Sequence, residues 1–209
     1  MATFFITGIG TGIGKTVIAA IVTEALKADY WKPVQAGYED GTDSQWVKKM
    51  LSNDKSIVHP ETYKLKFPAS PHIAAGEEGV RISLEKIVAS KPKTTRDLVI
   101  EGAGGLMVPL NEKEFVADLI KMLDATVIIV SKNYLGSINH SLLTAAVLRD
   151  RKINVMGWIF NHEYLDYEND IVQWSGYPWI ASVRDLGNID RSVIHAQSVG
   201  MREHLNLFL

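Results

Sequence analysis

The sequence predicts an α/β fold: a P-loop NTPase-like three-layer domain with a mainly parallel central sheet flanked by helices. Three observations carry that expectation. Short apolar runs that read as strands alternate with helix-forming runs along the whole chain. The strand runs are apolar on both faces, as buried parallel strands are. The first of them, Phe4-Phe5-Ile6, leads through Gly8-Ile9-Gly10-Thr11-Gly12-Ile13-Gly14-Lys15-Thr16 straight into a helix.

Taken in order, residues 3–7 form the first strand. The loop after it ends in Gly-Lys-Thr, the end of a phosphate-binding P-loop. Its glycines let backbone N–H groups turn toward a polyphosphate, and the helix N-terminus adds positive potential. Lys15 is placed to reach the β- and γ-phosphates, and the Thr16 hydroxyl to ligate Mg²⁺. The strict pattern wants glycine where this chain has Ile9; the glycine sits one place earlier, at Gly8. The first helix runs from Lys15 to Lys27. Tyr30 to Val34 reads as a second short strand. Pro33 has no N–H to donate, so this strand stops there or lies at an edge. Gly37 to Thr42 is turn-rich, and Asp43 reads as the N-cap or first-turn residue of a helix to about Leu51.

Residues 52–82 are the least regular and read as a long functional loop with a short helix around Ile73 to Ala75. A helix follows from Ser83 to about Ser90. Leu98-Val99-Ile100 is a buried strand that delivers Glu101 into Gly102-Ala103-Gly104-Gly105. Phe115 to Leu123 places Phe115, Leu119, Met122 and Leu123 on one helical face. Ala125 to Ser131 is a strand, Ile138 to Arg149 a helix begun at Ser137, and Val155 to Phe160 a strand ending at Asn161. Glu168 to Trp174, Trp179 to Ser182 and Ser192 to Leu205 read as helix, strand and closing helix.

Composition narrows the classes. The chain has 209 residues, 46% of them hydrophobic, enough for a real core, and no repeat or linker divides it. One α/β domain over residues 1–209 is expected. A net charge of −2 gives no basic field for nucleic acid or an anionic membrane. Without cysteine there is no disulfide scaffold and no thiolate metal site. Met1-Ala2-Thr3 lacks a basic leader, and no apolar run is long enough for a bilayer, so a cytoplasmic protein is expected. The six histidines show no metal-ligand spacing.

In parallel sheets ligands bind beyond the carboxyl ends of the strands. Alternation places Gly8 to Thr16, Lys32, Glu101 and Asn161 on that rim. Two lysines, a carboxylate and a P-loop on one rim point to chemistry on a phosphate. Glu101 is the expected Mg²⁺ carboxylate, with Asp43 as a second. For each the bland alternative is a strand-ending glutamate, a capping aspartate or a solvated lysine.

These residues carry a resemblance. Thr7-Gly8 to Thr16, Lys32-Pro33-Val34-Gln35 with Gly37, Ser70-Pro71-His72, Glu101 to Gly105, Leu135 to His140, and Gly157-Trp158 with Asn161 together resemble the dethiobiotin synthetase family. The resemblance implies a homodimer that uses ATP, Mg²⁺ and CO₂ derived from bicarbonate to close a ureido ring on 7,8-diaminononanoate. It implies roles residue by residue. Gly12, Ile13, Gly14, Lys15, Thr16 and Val17 hold the nucleotide, with Gly102, Ala103 and Gly104 approaching it and Asn161 and His162 at its base. Thr16, Asp43 and Glu101 hold the metal. Lys32, Lys15 and Thr11 serve catalysis, and Thr11 and Lys32 face the substrate. Gly136, Ser137, Ile138 and Asn139 form a helix start that receives the substrate carboxylate from the neighbouring subunit.

The chain also departs from the family pattern. Gly10 and Gly12 stand where acidic residues are usual in the loop, Ala36 where a hydroxyl is common, His162 where Asp is frequent, and Val183-Arg184 in place of Ile-Pro. The last two bear on the base pocket. The rival reading is a P-loop ATPase switch of the partition or division-site type that binds a protein partner. That group carries an extra lysine early in the loop, where this chain has Gly10.

Overall fold

The computed structural model describes residues 1–161 and 164–209. Its elements run β1 (Thr3–Gly8), α1 (Lys15–Leu26), β2 (Asp29–Trp31), β3 (Val34–Ala36), α2 (Asp43–Met50), β4 (Val58–His59), β5 (Tyr63–Leu65), α3 (Pro71–Glu77), α4 (Leu84–Ala89), β6 (Leu98–Gly105), α5 (Val116–Met122), β7 (Thr126–Lys132), α6 (Ser137–Asp150), β8 (Val155–Asn161), α7 (Glu168–Ser175), β9 (Trp179–Val183) and α8 (Arg191–Leu205). Seven strands form one sheet in the order β4-β2-β6-β1-β7-β8-β9, with every pairing parallel.

Side-chain alternation along the strands divides the core in two. Phe4, Ile6, Val99, Ile128 and Val130 face one side, where Ile18 and Ile21 of α1, Val47 of α2 and Met201 of α8 cover them. Phe5, Leu98, Ile100, Val127 and Ile129 face the other, beneath Leu84 and Ile87 of α4, Leu119 of α5 and Leu148 of α6. The strands are therefore apolar on both faces because both faces are covered. Each fully buried Phe or Ile here contributes about 1.5–3 kcal/mol of transfer free energy. Among the described residues no helix is long and apolar enough to cross a membrane.

Three local outcomes differ from the sequence reading. The expected strand over Tyr30 to Val34 is two strands. β2 ends at Trp31, the chain turns at Lys32-Pro33, and β3 joins a separate two-stranded sheet with β5. Pro33 ends one ladder by lacking a donor, while its carbonyl oxygen accepts from the N–H groups of Thr62 and Tyr63. β2 also has neighbours on both sides, so it is not an edge strand. Residues 52–82 hold β4 and β5, which are two and three residues long and too short to show a period.

The third difference is at β6, which does not stop at Ile100 but continues through Glu101 to Gly105. Opposite it, the β1 register slips between Ile6 and Gly8, where the two strands bulge. Gly102 makes the close approach here: a Cβ on it would lie 2.6 Å from the Phe5 ring.

Candidate functional site

The P-loop connects β1 to α1 at the carboxyl end of the sheet. Gly14 is the N-cap of α1 with φ 90°, a conformation that favours glycine, and no side chain caps this helix. The first-turn N–H groups have no intrahelical acceptor and remain available to an anion. Lys15 folds back over the loop, and its Nζ donates to the Gly10 carbonyl oxygen at 2.7 Å. Burial lowers the Lys15 pKa to about 8, with Glu101 and Asp43 opposing the shift and Lys32 adding to it.

Glu101 sits at the centre of the rim and is 1% exposed. Its Oε1 accepts from the Thr16 hydroxyl at 2.8 Å and from Lys32 Nζ at 2.8 Å. Its Oε2 accepts from the Tyr30 hydroxyl at 2.7 Å. The β2–β6 register explains the meeting: Trp31 lies opposite Ile100, so the next residue, Lys32, comes level with Glu101. Lys32 also pairs with Asp43 in the first turn of α2. Burial works against the Lys32 charge, but Glu101 and Asp43 outweigh it and hold its pKa above the usual lysine value. Asp43 is a first-turn residue rather than the cap. Thr42 caps α2 in a reciprocal box with Gln45, and the Asp43 N–H donates to Gln35 Oε1 at 3.1 Å.

A cleft of about 840 Å³ opens over this cluster. Thr11, Gly12, Gly14, Lys15, Thr16, Val17, Lys32, Asp43, Glu101, Ala103 and Gly104 line it, so the structure brings most of the expected residues to one place. The segment Pro68 to Pro71 forms its far wall. Asn161 braces the loop from β8, its Nδ2 donating to the Ile13 carbonyl oxygen at 2.8 Å. A Cβ on Gly14 would lie 2.1 Å from that nitrogen. Beyond β8 and β9 lies a second cavity of about 380 Å³, lined in part by Asn133, Tyr164, Asp166, Glu168 and Ser182.

Other expected residues stand apart. The Ile13 side chain is buried, leaving only its backbone toward the loop. Gly102 packs on Phe5 beneath the cleft rather than lining it. Gly136, Ser137, Ile138 and Asn139 do start a helix, with Gly136 as an uncapped N-cap at φ 102°, but they do not line this cleft. The Ser137 side chain is fully buried and shares a 2.7 Å hydrogen bond with the Tyr167 hydroxyl, so it offers a ligand no free hydroxyl. His162 lies outside the described residues.

Two participants escape the sequence. Tyr30 reads as core, because nothing in an apolar strand marks where a hydroxyl ends. Gln35, which orients Asp43, lies in the Lys-Pro-Val-Gln run, but its partner is visible only once α2 is in place. Gly10 and Gly12 have nothing within 4 Å of an added Cβ, but Gly12 has φ 72°, which strains any other residue, so only at Gly10 does the backbone accept a side chain without strain.

The donors on this rim suit Mg²⁺. They are hard oxygens: one hydroxyl and two carboxylates. Among the described residues no group of three or more His, Cys, Asp or Glu forms a self-sufficient metal cage.

A parallel α/β sheet, an uncapped glycine loop at a helix N-terminus and a buried lysine–carboxylate cluster define a P-loop nucleotide-binding protein. Solved structures agree on that fold. The septum site-determining protein MinD of Pyrococcus horikoshii, complexed with Mg-ADP, superposes with a TM-score of 0.62 at 12% identity, covering 98% of this chain and 96% of its own. A chain of the MinC:MinD cell division protein complex of Aquifex aeolicus gives 0.61 at 15% identity, covering 99% of this chain and 96% of its own. At such identities the likeness extends to the fold alone.

Sequence comparison goes further. A family described as "AAA domain" matches residues 2–192. The ATP-dependent dethiobiotin synthetase BioD of Cytophaga hutchinsonii is 50% identical over 201 residues, 95% of this chain and 96% of that protein. The BioD of Christiangramia forsetii is 55% identical over 158 residues, 76% of this chain and 75% of that protein. The chain belongs to the dethiobiotin synthetase family.

Proposed function

We propose that residues 1–209 act as one P-loop domain that makes dethiobiotin from 7,8-diaminononanoate and CO₂, with ATP cleaved to ADP and phosphate. One observation supports this reading best: Lys32 lies between Glu101 and Asp43 in the wall of a cleft that Lys15 and the P-loop also line. That cleft has two cations for anionic intermediates beside a site for the transferring phosphate.

In the first step the lone pair of one neutral amine of the substrate attacks CO₂. A C–N bond forms, a proton leaves the nitrogen, and a carbamate anion results. Lys32 carries its charge throughout the working pH range, because the carboxylates beside it hold its proton. It neutralises the carbamate, and Thr11 at the loop edge faces the same substrate. In the second step a carbamate oxygen attacks the γ-phosphorus. The new O–P bond forms as the bond to the β–γ bridging oxygen breaks and ADP leaves. Lys15 swings from the Gly10 carbonyl to the phosphates, and the free N–H groups at the start of α1 take the remaining oxygens. In the third step the second amine attacks the carbonyl carbon. The C–O bond to phosphate breaks, phosphate departs with the electron pair, and the ring closes as the nitrogen loses a proton.

Thr16, Glu101 and Asp43 would hold Mg²⁺, which would supply positive charge to offset the negative charge of the phosphates. The Thr16 proton already points to Glu101, which leaves the hydroxyl lone pairs free for the ion. Asn161 holds the loop through the Ile13 carbonyl, and the base is expected in the second cavity, which Val183 and Arg184 help to line. The helix start at Gly136 to Asn139 lies outside the cleft, and Met107, Leu135 and Leu143 nearby are exposed apolar residues. Both features support a homodimer in which the partner's α6 reaches the substrate carboxylate.

The test is product analysis. With ¹³C-bicarbonate, 7,8-diaminononanoate and Mg-ATP, the product should be dethiobiotin carrying one label in its ureido carbon. ATP hydrolysis with no labelled ring product would overturn the reading.

A further inference from the structure

Among the described residues Tyr30 is the one side chain bonded to Oε2 of Glu101. It lies in the middle of β2, fully buried among the apolar residues that cover α1. A phenylalanine would fill that space. A buried hydroxyl without a partner costs on the order of 1–3 kcal/mol, so the phenol is tolerated only because it has one. That partner is Glu101 Oε2 at 2.7 Å.

The arrangement is a two-point clamp. Tyr30 in β2 and Lys32 just past its end are two residues apart, and they grip opposite oxygens of one carboxylate. Thr16 and Lys32 both sit on Oε1, while Oε2 has Tyr30 alone among the described hydrogen bonds. The last torsion of a glutamate is broad and roughly two-fold. Without a donor on Oε2 the carboxylate is held at Oε1 alone, and its plane is less firmly fixed relative to Thr16. Burial, reinforced by the Glu101 charge, keeps the phenol protonated far above neutral pH, so it remains a donor.

We infer that Tyr30 is a positioning residue: through Oε2 it fixes the plane of the Glu101 carboxylate and so aims the Thr16 hydroxyl at the metal site. This rests on the reading of Glu101 and Thr16 as the metal-side residues. Partners of this kind behind a metal ligand cost about 10- to 100-fold in metal affinity when removed.

The experiment compares wild type, Tyr30→Phe, Glu101→Gln and the double variant, each with ADP bound. Free Mn²⁺ is counted by electron paramagnetic resonance, metal-free ADP affinity is measured by calorimetry, and thermal unfolding is followed by circular dichroism. Tyr30→Phe should keep metal-free ADP affinity and lower Mn²⁺ affinity about tenfold or more. The double variant should bind Mn²⁺ no worse than Glu101→Gln, because Tyr30 acts only through that carboxylate. In turnover, kcat should fall with little change in KM for the diamine. If Tyr30→Phe binds Mn²⁺ like wild type while Glu101→Gln does not, the inference falls and the metal-side reading stands. If Glu101→Gln also binds Mn²⁺ like wild type, the metal-side reading itself falls, and the inference with it. Strictly additive losses, or a Tyr30→Phe chain that cannot fold, would assign the hydroxyl to the core and overturn the inference as well.

Discussion

Raising the pH should weaken nucleotide binding by an amount that Lys15 sets. Its ammonium is buried under the P-loop, bonded to the Gly10 carbonyl, with a pKa lowered by burial to about 8. Phosphate needs the charged form. About nine-tenths of the empty protein carries the proton at pH 7, and about one-tenth at pH 9. A bound polyphosphate holds the proton in place, so binding must take it up. The apparent ADP affinity without divalent metal should therefore fall roughly fivefold from pH 8 to pH 9, with about half a proton taken up per ADP at pH 8. Calorimetry in two buffers of different ionisation enthalpy reads both quantities. Lys15→Arg keeps its charge throughout, so its proton uptake should vanish. The sign for stability is the reverse of the sign for binding. The folded pKa lies below the unfolded value of 10.5, so the charged lysine burdens the fold below pH 8. That burden is relieved as pH rises from about 8 toward 10.5. No proton uptake at pH 8, together with equal affinity at pH 7 and 9, would refute this account of Lys15.

Three further outcomes follow from the geometry. Lys32→Ala removes the cation between Glu101 and Asp43; turnover should fall on the order of 10²–10³, and a variant with near-wild-type kcat would take Lys32 out of the site. Urea unfolding should show the same variant losing about 3 kcal/mol, since Glu101 is left buried without its cation. Asn161→Ala removes the bond that braces the Ile13 carbonyl, worth about 1 kcal/mol, and ADP affinity should drop about fivefold; unchanged affinity would show that the loop holds its shape without it. Gly102→Ala drives a methyl group to 2.6 Å from the Phe5 ring. It should cost about 1–3 kcal/mol in chemical denaturation, and wild-type stability would mean that Phe5 yields freely.

The sequence was most legible where local chemistry is unambiguous. The P-loop announces itself, because glycines, a lysine and a threonine between a strand and a helix have few other uses. The strands β1, β6, β7 and β8 are long enough for their apolar runs to be read, and Lys32, Glu101 and Asp43 do meet. What was hidden depends on register and on short elements. The two-residue β4 has no period to detect. Tyr30 is bonded to a carboxylate seventy-one positions away, so only the β2–β6 pairing reveals it. Ser137 sits at an expected helix start, but its bond to Tyr167, thirty positions on, depends on tertiary packing that no local pattern encodes. Pro33 was recognised as a strand terminator, but not that the chain beyond it opens a second sheet whose neighbouring loop, Pro68 to Pro71, walls the cleft.

The central claim is that this P-loop transfers phosphate to a carbamate and not to water. ADP release from Mg-ATP should be measured with diaminononanoate and bicarbonate added separately and together. Release should be slow with either alone and rise synergistically with both. ADP release indifferent to the diamine would contradict that claim.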